Sequence, residues 1–547
     1  MDPISLGVSV GAIVMAFKGV IDTALLIESF HDDGKTGCGY LALTYHIEKT
    51  RLDLWGQLCK ANNESSCTLS DRPDLVKETI TRILGEIVNL NREAEKLITK
   101  HDVKMPEYPQ GSDNPAQAMN LSSALPQALS KLVVKPKARW RWTIKGKADF
   151  EQVVLKIRKL RDDLESFTIS DNYRQLLHKA LPSLALKSIT SRELLQTLYD
   201  PETRVGSALA ASAKVKFLWS QTSPDSSDMN IIAGDQLRFL SGSSNLGILR
   251  NQGAGISSVW VEWNTVQDGA GAAEYIKRIK TLGYRLEKIG EPALRLPSCY
   301  GLVFQEIHGA TRLGFVFGAP RTIWLQGRVQ SMPRYTGDFF NLPPVSLANL
   351  MEHQKTNTIP LLGDRFYLAF TLAVAFSHFH AAGWLHKGFH SDNITFLQQD
   401  NEPHINVTDP FITGFQYSRP QQEQSLSRTP LENDQLQHYY HPDADKGFSR
   451  RLDLYSLGIV LCEIGRWGLI RKTVSDRRRK ELVDRSAWRN YVNKYICVDM
   501  GWRMGEKYHG VVKTLLECRL PGDDHDDGLF EQQYLEKVIQ PLAECTA

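Results

Sequence analysis

The first 30 residues, MDPISLGVSVGAIVMAFKGVIDTALLIESF, constrain the fold of this chain more than any other stretch. No charged side chain lies between Ile4 and Phe17; Lys18 and Asp22 then interrupt an apolar run that resumes to Ile27. The uninterrupted part is shorter than the ~20 residues a membrane-spanning helix needs, yet it is too apolar to be left in water. It belongs inside a helical bundle, or to a bundle that can exchange it with a bilayer. A run of this length at a chain start is most often a core helix. Asp2, the lack of Lys or Arg before the run, and the FKGVIDTALL sequence at its end argue against a cleaved signal peptide. A fixed membrane anchor would place Lys18 and Asp22 in hydrocarbon. Ile4, Leu6, Val8, Ile13, Val14 and Phe17 are the residues this run would offer to a membrane.

At 547 residues the chain has room for two to four domains. A net charge of +3 gives no global drive toward nucleic acid, and none is expected as a partner. The eight cysteines are scattered, with no CxxC pair and no Cys/His cluster at metal spacing. That pattern points to a reducing, cytoplasmic compartment and away from a disulfide frame, a zinc site or any other metal.

The first half reads as all-α. Leu41, Tyr45, Ile47, Leu52, Trp55 and Leu58 recur near helical spacing. A helix opens at about Pro73, with Leu75, Ile80, Ile83, Leu84, Ile87 and Leu90 as its buried stripe. Residues 105–127, rich in Pro, Ser, Asn and Gln, read as a loop. A further helix after Gly146 puts Phe150, Val153, Val154, Ile157, Leu160 and Leu164 on one face. Residues 131–161 are locally basic: Lys135, Lys137, Arg139 and Arg141 surround Trp140 and Trp142, and Arg158 and Arg161 end the run. Such a segment is most often a solvated face; basic residues beside tryptophan also suit an anionic membrane surface.

The apolar start, YLALTYHIEKTRLDLWGQ and KARWRWTIKGKADFEQVVLKIRKLRDDLESF together resemble the fungal HeLo domain, of the HET-S/LopB-like prion-inhibition and propagation family, over residues 1–215. The resemblance implies a helical bundle that executes cell death in heterokaryon incompatibility by releasing its first helix into membrane. It implies no catalytic residue.

Residues 216–235 read as a linker, after which the periodicity changes to strands joined by Gly-rich turns, then a helix, two more strands and a helical region. Residues 236–540 thus form an α+β two-lobe pattern. Within it, WLHKGFHSDNITFL resembles the catalytic loop of protein kinases, H-R-D-x-x-x-x-N. His386 matches the His, Lys387 the Arg, Gly388 the catalytic Asp and Asn393 the metal-binding Asn. Glycine cannot accept the proton of a substrate hydroxyl. Gly414, Phe415 and Gln416 overlay D-F-G, so the magnesium-holding carboxylate is missing; Asp392 and Asp409 are out of place. Glu262 or Asn264 stands where V-A-I-K has its lysine, and Gly242, Gly247, Gly253 and Gly255 do not fit G-x-G-x-x-G. Asp453 and Pro442-Asp443 fall where kinases carry their loop-bracing Asp and the A-P-E segment. The resemblance therefore implies a pseudokinase, with His386 and Asn393 kept to brace the loop.

The expected protein is multidomain: an all-α HeLo-like bundle followed by an α+β kinase-like fold. It is expected to be a non-enzymatic cell-death or incompatibility effector, cytoplasmic until it moves to an anionic plasma membrane, and homo-oligomeric when active. No cofactor is expected, with metal-independent ATP binding left open. Two other readings stand beside it: a signalling scaffold whose bundle only oligomerises, and an atypical kinase using Asp392 or Asp409.

Overall fold

The structure, a computed structural model, describes residues 9–28, 39–99, 144–168, 182, 184–186, 189, 191–200, 207–221, 230–251, 255–266, 272–290, 292–307, 310–319, 323–325, 328–330, 342–353, 359–398, 405–420, 434–474, 482, 484–521 and 529–547. The chain divides into two compact units, Met1–Leu181 and Pro182–Ala547.

The described part of the first unit is helical: α1 (Val10–Glu28), α2 (Gly39–Leu58), α3 (Asp74–Thr99) and α4 (Ile144–Thr168). α1 lies against α3 and α2, and α4 against α3 and α2. Ile13, Phe17, Val20, Ala24 and Ile27 alternate by four and three residues, so they fall on one face of α1 and are buried. They join Tyr45, Leu52 and Trp55 of α2, Ile80, Leu84 and Ile87 of α3, and Phe150, Val153 and Ile157 of α4 in one core. α3 begins after Pro73, where proline's missing N–H costs nothing. The stripe expected on α3 starts later than its first apolar residue. Leu75 is 75% exposed because, five residues before Ile80, it points off the buried face, which Val76 opens instead.

The second unit opens with α5 (Arg192–Tyr199) and α6 (Ser207–Ser220). A five-stranded antiparallel sheet follows, in the order β1 (Leu237–Phe239), β2 (Leu246–Asn251), β3 (Gly255–Thr265), β5 (Ala310–Gly318), β4 (Ser298–Ile307). One helix, α7 (Ala272–Ile289), connects β3 to β4 and packs on β4. The rest is mainly helical, built on α8 (Leu362–Ala381), α9 (Arg450–Arg466) and α10 (Val498–Leu516, kinked at Gly505). From Leu368 to Ala381 every residue of α8 is buried, which is why that run is apolar without a period.

The boundary between the units falls earlier than residue 215. α6 buries Leu209, Ala211, Ala213, Val215 and Leu218, and it packs against α7 and α8 of the second unit. Its last turn is fixed by Trp219, stacked under Arg285 at 3.9 Å and 5.5 Å from the Trp384 ring. The segment read as a linker from residue 216 therefore begins as helix, and Ser207–Ser220 belongs with the sheet-bearing unit rather than with the bundle.

Candidate functional site

Two places carry the chemistry singled out in the sequence: the seat of α1, and the loops around residues 384–420. In the first, Phe17 stands 5.6 Å from Trp55, ring centre to ring centre. A Cβ at Gly56 would overlap the Phe17 ring, so this mid-helix glycine is the notch that lets α1 lie close to α2. The one trace of the notch in the residue pattern is a glycine inside a strongly helical stretch, which costs about 1 kcal/mol there.

A second fastening is polar. Asn91 of α3 is 2% exposed and sits at the heart of the core. Its Nδ2 donates to the Val20 carbonyl at 3.3 Å and to Thr23 Oγ1 at 3.0 Å, and its Oδ1 accepts from Tyr45 OH at 2.9 Å. One side chain thus ties α1, α2 and α3 together.

Of the membrane-facing candidates, Ile13 and Phe17 are buried and Val14 is half-buried. Ile4, Leu6 and Val8 lie outside the described residues, as do Lys135, Lys137, Arg139, Trp140, Arg141 and Trp142. Lys18 and Asp22 are exposed with Met15 on the outer face of α1. They are therefore compatible with a helix buried on one side.

At the end of the basic run Lys156 and Lys159 are exposed, but Arg161 is not part of a solvated face. Arg161 is fully buried, its Nε donating to Glu48 Oε2 at 2.7 Å and its Nη1 to Glu165 Oε1 at 2.8 Å. Arg158 Nε takes the other Glu48 oxygen at 2.7 Å. Burial disfavours the Arg161 charge, but Glu48 and Glu165 more than restore it, and its pKa lies above the ordinary arginine value. The network clamps α4 to α2.

In the second unit, Asp453 holds the loop that follows α8. Its two carboxylate oxygens accept the backbone N–H groups of His386 and Lys387, each at 2.9 Å, and His380 Nε2 approaches at 3.1 Å. His386 is buried and its Nε2 donates to the Thr413 carbonyl at 2.9 Å. Burial lowers its pKa to about 4, so the ring is neutral. Asn393 Nδ2 donates to the Gly388 carbonyl at 2.7 Å. Gly414 has φ 76°, and a Cβ there would collide with the Asn393 amide. Gly414 thus has no room for a side chain in this arrangement.

Glu262 of β3 reaches the same spot, Oε2 accepting from the Gly414 N–H at 3.1 Å. Arg278 of α7 donates to the carbonyls of Tyr417 at 2.7 Å and Ser418 at 3.1 Å. Asp409 is paired with Arg295 at 2.5 Å, and Asp392 accepts from Ser346 at 3.2 Å. Asp443 is half-exposed and paired with Lys446 at 2.7 Å. The buried bridge near it is instead Arg450–Glu531, at 2.6 Å. Asn264 is half-buried on β3.

Burial pushes the carboxyls of Glu262 and Glu463 up to about 7. An acid whose pKa is raised by folding binds more protons folded than unfolded, so its contribution is present below its unfolded value and is lost as pH rises through about 7. His386, whose lowered pKa adds stability as pH rises over the same range, works against this fall in the second unit's melting midpoint between about pH 5 and about pH 8. Glu262→Gln, which keeps an acceptor for Gly414, should remove part of that fall.

No described helix is long and apolar enough to cross a membrane, and no described cluster of His, Cys, Asp or Glu could hold a metal ion. No curated protein matches the chain. Residues 324–544 match a domain family of unknown function, DUF7580. Residues 5–198, reaching into α5, match the HeLo family, described as prion-inhibition and propagation, so the N-terminal region carries a HeLo domain, of a family associated with fungal cell-death and incompatibility signalling.

Proposed function

We propose that the protein is a non-enzymatic effector of that signalling, in which the second unit restrains the bundle until a trigger frees α1 for an anionic membrane. The carrying observation is the seat of α1, with Phe17 in the Gly56 notch and Asn91 as the polar fastening. Ile13, Phe17, Val20 and Ile27 are each worth about 1.5–3 kcal/mol in the core relative to water. A helix so fastened leaves only for another apolar environment, and a bilayer supplies one. Relocation from cytoplasm to plasma membrane and oligomerisation on it follow from this reading, since Lys18 and Asp22 would then need a partner or the headgroup region.

The second unit is read as a pseudokinase. Support comes from the five-stranded sheet with one helix after β3, a sheet-then-helix order shared with kinases. Glu262 and Gly388 stand in for a lysine and a catalytic aspartate, and Asn393 fills the space a side chain at 414 would need. Asp392 and Asp409, which an atypical kinase would use, already have polar partners. ATP is expected to leave the melting temperature unchanged with or without magnesium.

Dye release from anionic vesicles by residues 1–181 tests the effector role. Wild-type bundle should release dye and Phe17→Glu should lose at least ten-fold, because a carboxylate on the inserting face costs about 2.5–3.5 kcal/mol at mid-bilayer. No release by the wild type, or equal release by the variant, would remove the membrane reading and leave the scaffold.

A further inference from the structure

A cluster of hydrogen-bond donors without acceptors lies apart from both sites, where the turn Pro442–Asp445, α9, the helix Arg485–Tyr491 and the end of α10 meet. His441 is 4% exposed, and its Nδ1 accepts the backbone N–H of Asp443 at 3.1 Å. That bond places the ring proton on Nε2. The Nε2–H is buried and has no acceptor. The Tyr455 ring meets His441 edge-on at 5.2 Å, and its hydroxyl is buried and equally unpartnered. Arg451 lies one turn before Tyr455 on α9, hence on the same face. Its Nε is a third buried, unpartnered donor. Arg489 reaches the Leu516 carbonyl only at 3.4 Å, and it acts electrostatically on both His441 and Tyr455. Arg489, Arg451 and Lys446 bring positive charge to His441; Asp443 opposes them, with Oδ1 on Lys446 and Oδ2 3.5 Å from His441 Nδ1, on the side of the ring away from Nε2.

Buried donors are nearly always satisfied. Three in one place, with two guanidinium groups and an excess of positive charge, suit an oxyanion better than a neutral acceptor. Arg451 and Arg489 are only half-buried, so such a group has a way in from solvent, with His441 and Tyr455 as the floor. We propose that these four residues bind a phosphate group, free or carried on a small ester. The arrangement needs no metal and no kinase chemistry, so it stands whether or not the second unit is a pseudokinase.

Full-length protein is melted and titrated calorimetrically with orthophosphate, glycerol phosphate, and chloride at matched ionic strength. Orthophosphate should raise the melting temperature, as a ligand selective for the folded state does, and chloride should not. Glycerol phosphate acting equally well indicates a site open to phosphoryl esters; orthophosphate acting alone indicates a closed site for the free ion. Arg451→Gln and Arg489→Gln should each weaken affinity by about 10- to 100-fold, and Tyr455→Phe by several-fold. Equal responses to phosphate and chloride in the wild type would overturn the proposal. That result would mean that water satisfies these donors. Unchanged affinity in a folded Arg451→Gln/Arg489→Gln double variant would also overturn it. Because the wild-type arm decides by itself, a variant that fails to fold does not spare the proposal.

Discussion

Arg161→Met should destabilise the bundle by about 3–5 kcal/mol, the range found when one partner of a buried ion pair is removed. The methionine fills similar volume, so the loss is electrostatic. Glu48 and Glu165, 1% exposed each, would face one another with Arg51 and the half-exposed Arg158 left to offset them. The size of the effect says little about what the network itself contributes, because buried pairs often do no better than apolar residues. Replacing Glu48, Arg161 and Glu165 together by Leu, Met and Leu should accordingly recover most of the loss. Urea unfolding of residues 1–181 measures both. If the single change cost under about 1 kcal/mol, Arg161 would be solvated rather than buried.

Gly56→Ala should loosen α1 rather than the whole bundle. The new methyl group competes with the Phe17 ring for the same volume, and overpacking of this kind costs about 1–3 kcal/mol. Within α2 alanine is favoured over glycine by about 1 kcal/mol, so α2 itself is not weakened. The cost therefore falls on the contact that can give way, which is the docking of α1. A penalty of 1–3 kcal/mol corresponds to roughly 5- to 150-fold more of the undocked state. Amide exchange over Val10–Glu28 should speed up by about that factor while α3 and α4 stay protected. Uniform acceleration in all four helices would mean that α1 is an integral part of the fold and not a separable element.

The helical half was legible because four helices each bury one face, and spacing reveals a single buried face. The same logic misplaced Leu75, which lies next to the stripe but not on it; Val76, four residues before Ile80, takes the core position. Arg161 escaped because a basic run is read as a surface until its counter-charges are seen, and Glu48 lies more than a hundred residues away in sequence. Asn91 could have been noticed: it falls four residues after Ile87, on the buried stripe, where a polar residue needs partners. The domain limit was missed for a related reason. α6 is apolar on several sides, and nothing in its sequence says whether the bundle or the sheet-bearing unit covers it. That Asn393 takes the space beside Gly414 was not legible, because the two residues are distant in sequence and meet only through the fold.

Cross-linking α1 in its seat is the most direct test of release. A Cβ at Gly19 would lie 3.4 Å from Val88 Cγ2 of α3, so cysteines at these two positions would meet across the two helices, and an oxidised bridge between them would hold α1 in its seat. In residues 1–181 carrying Gly19→Cys and Val88→Cys, dye release from anionic vesicles should be abolished while the bridge is oxidised. It should return on reduction, with the wild-type bundle indifferent to the reductant. Equal release in the oxidised and reduced states would show that the bundle acts on membranes with α1 still in place.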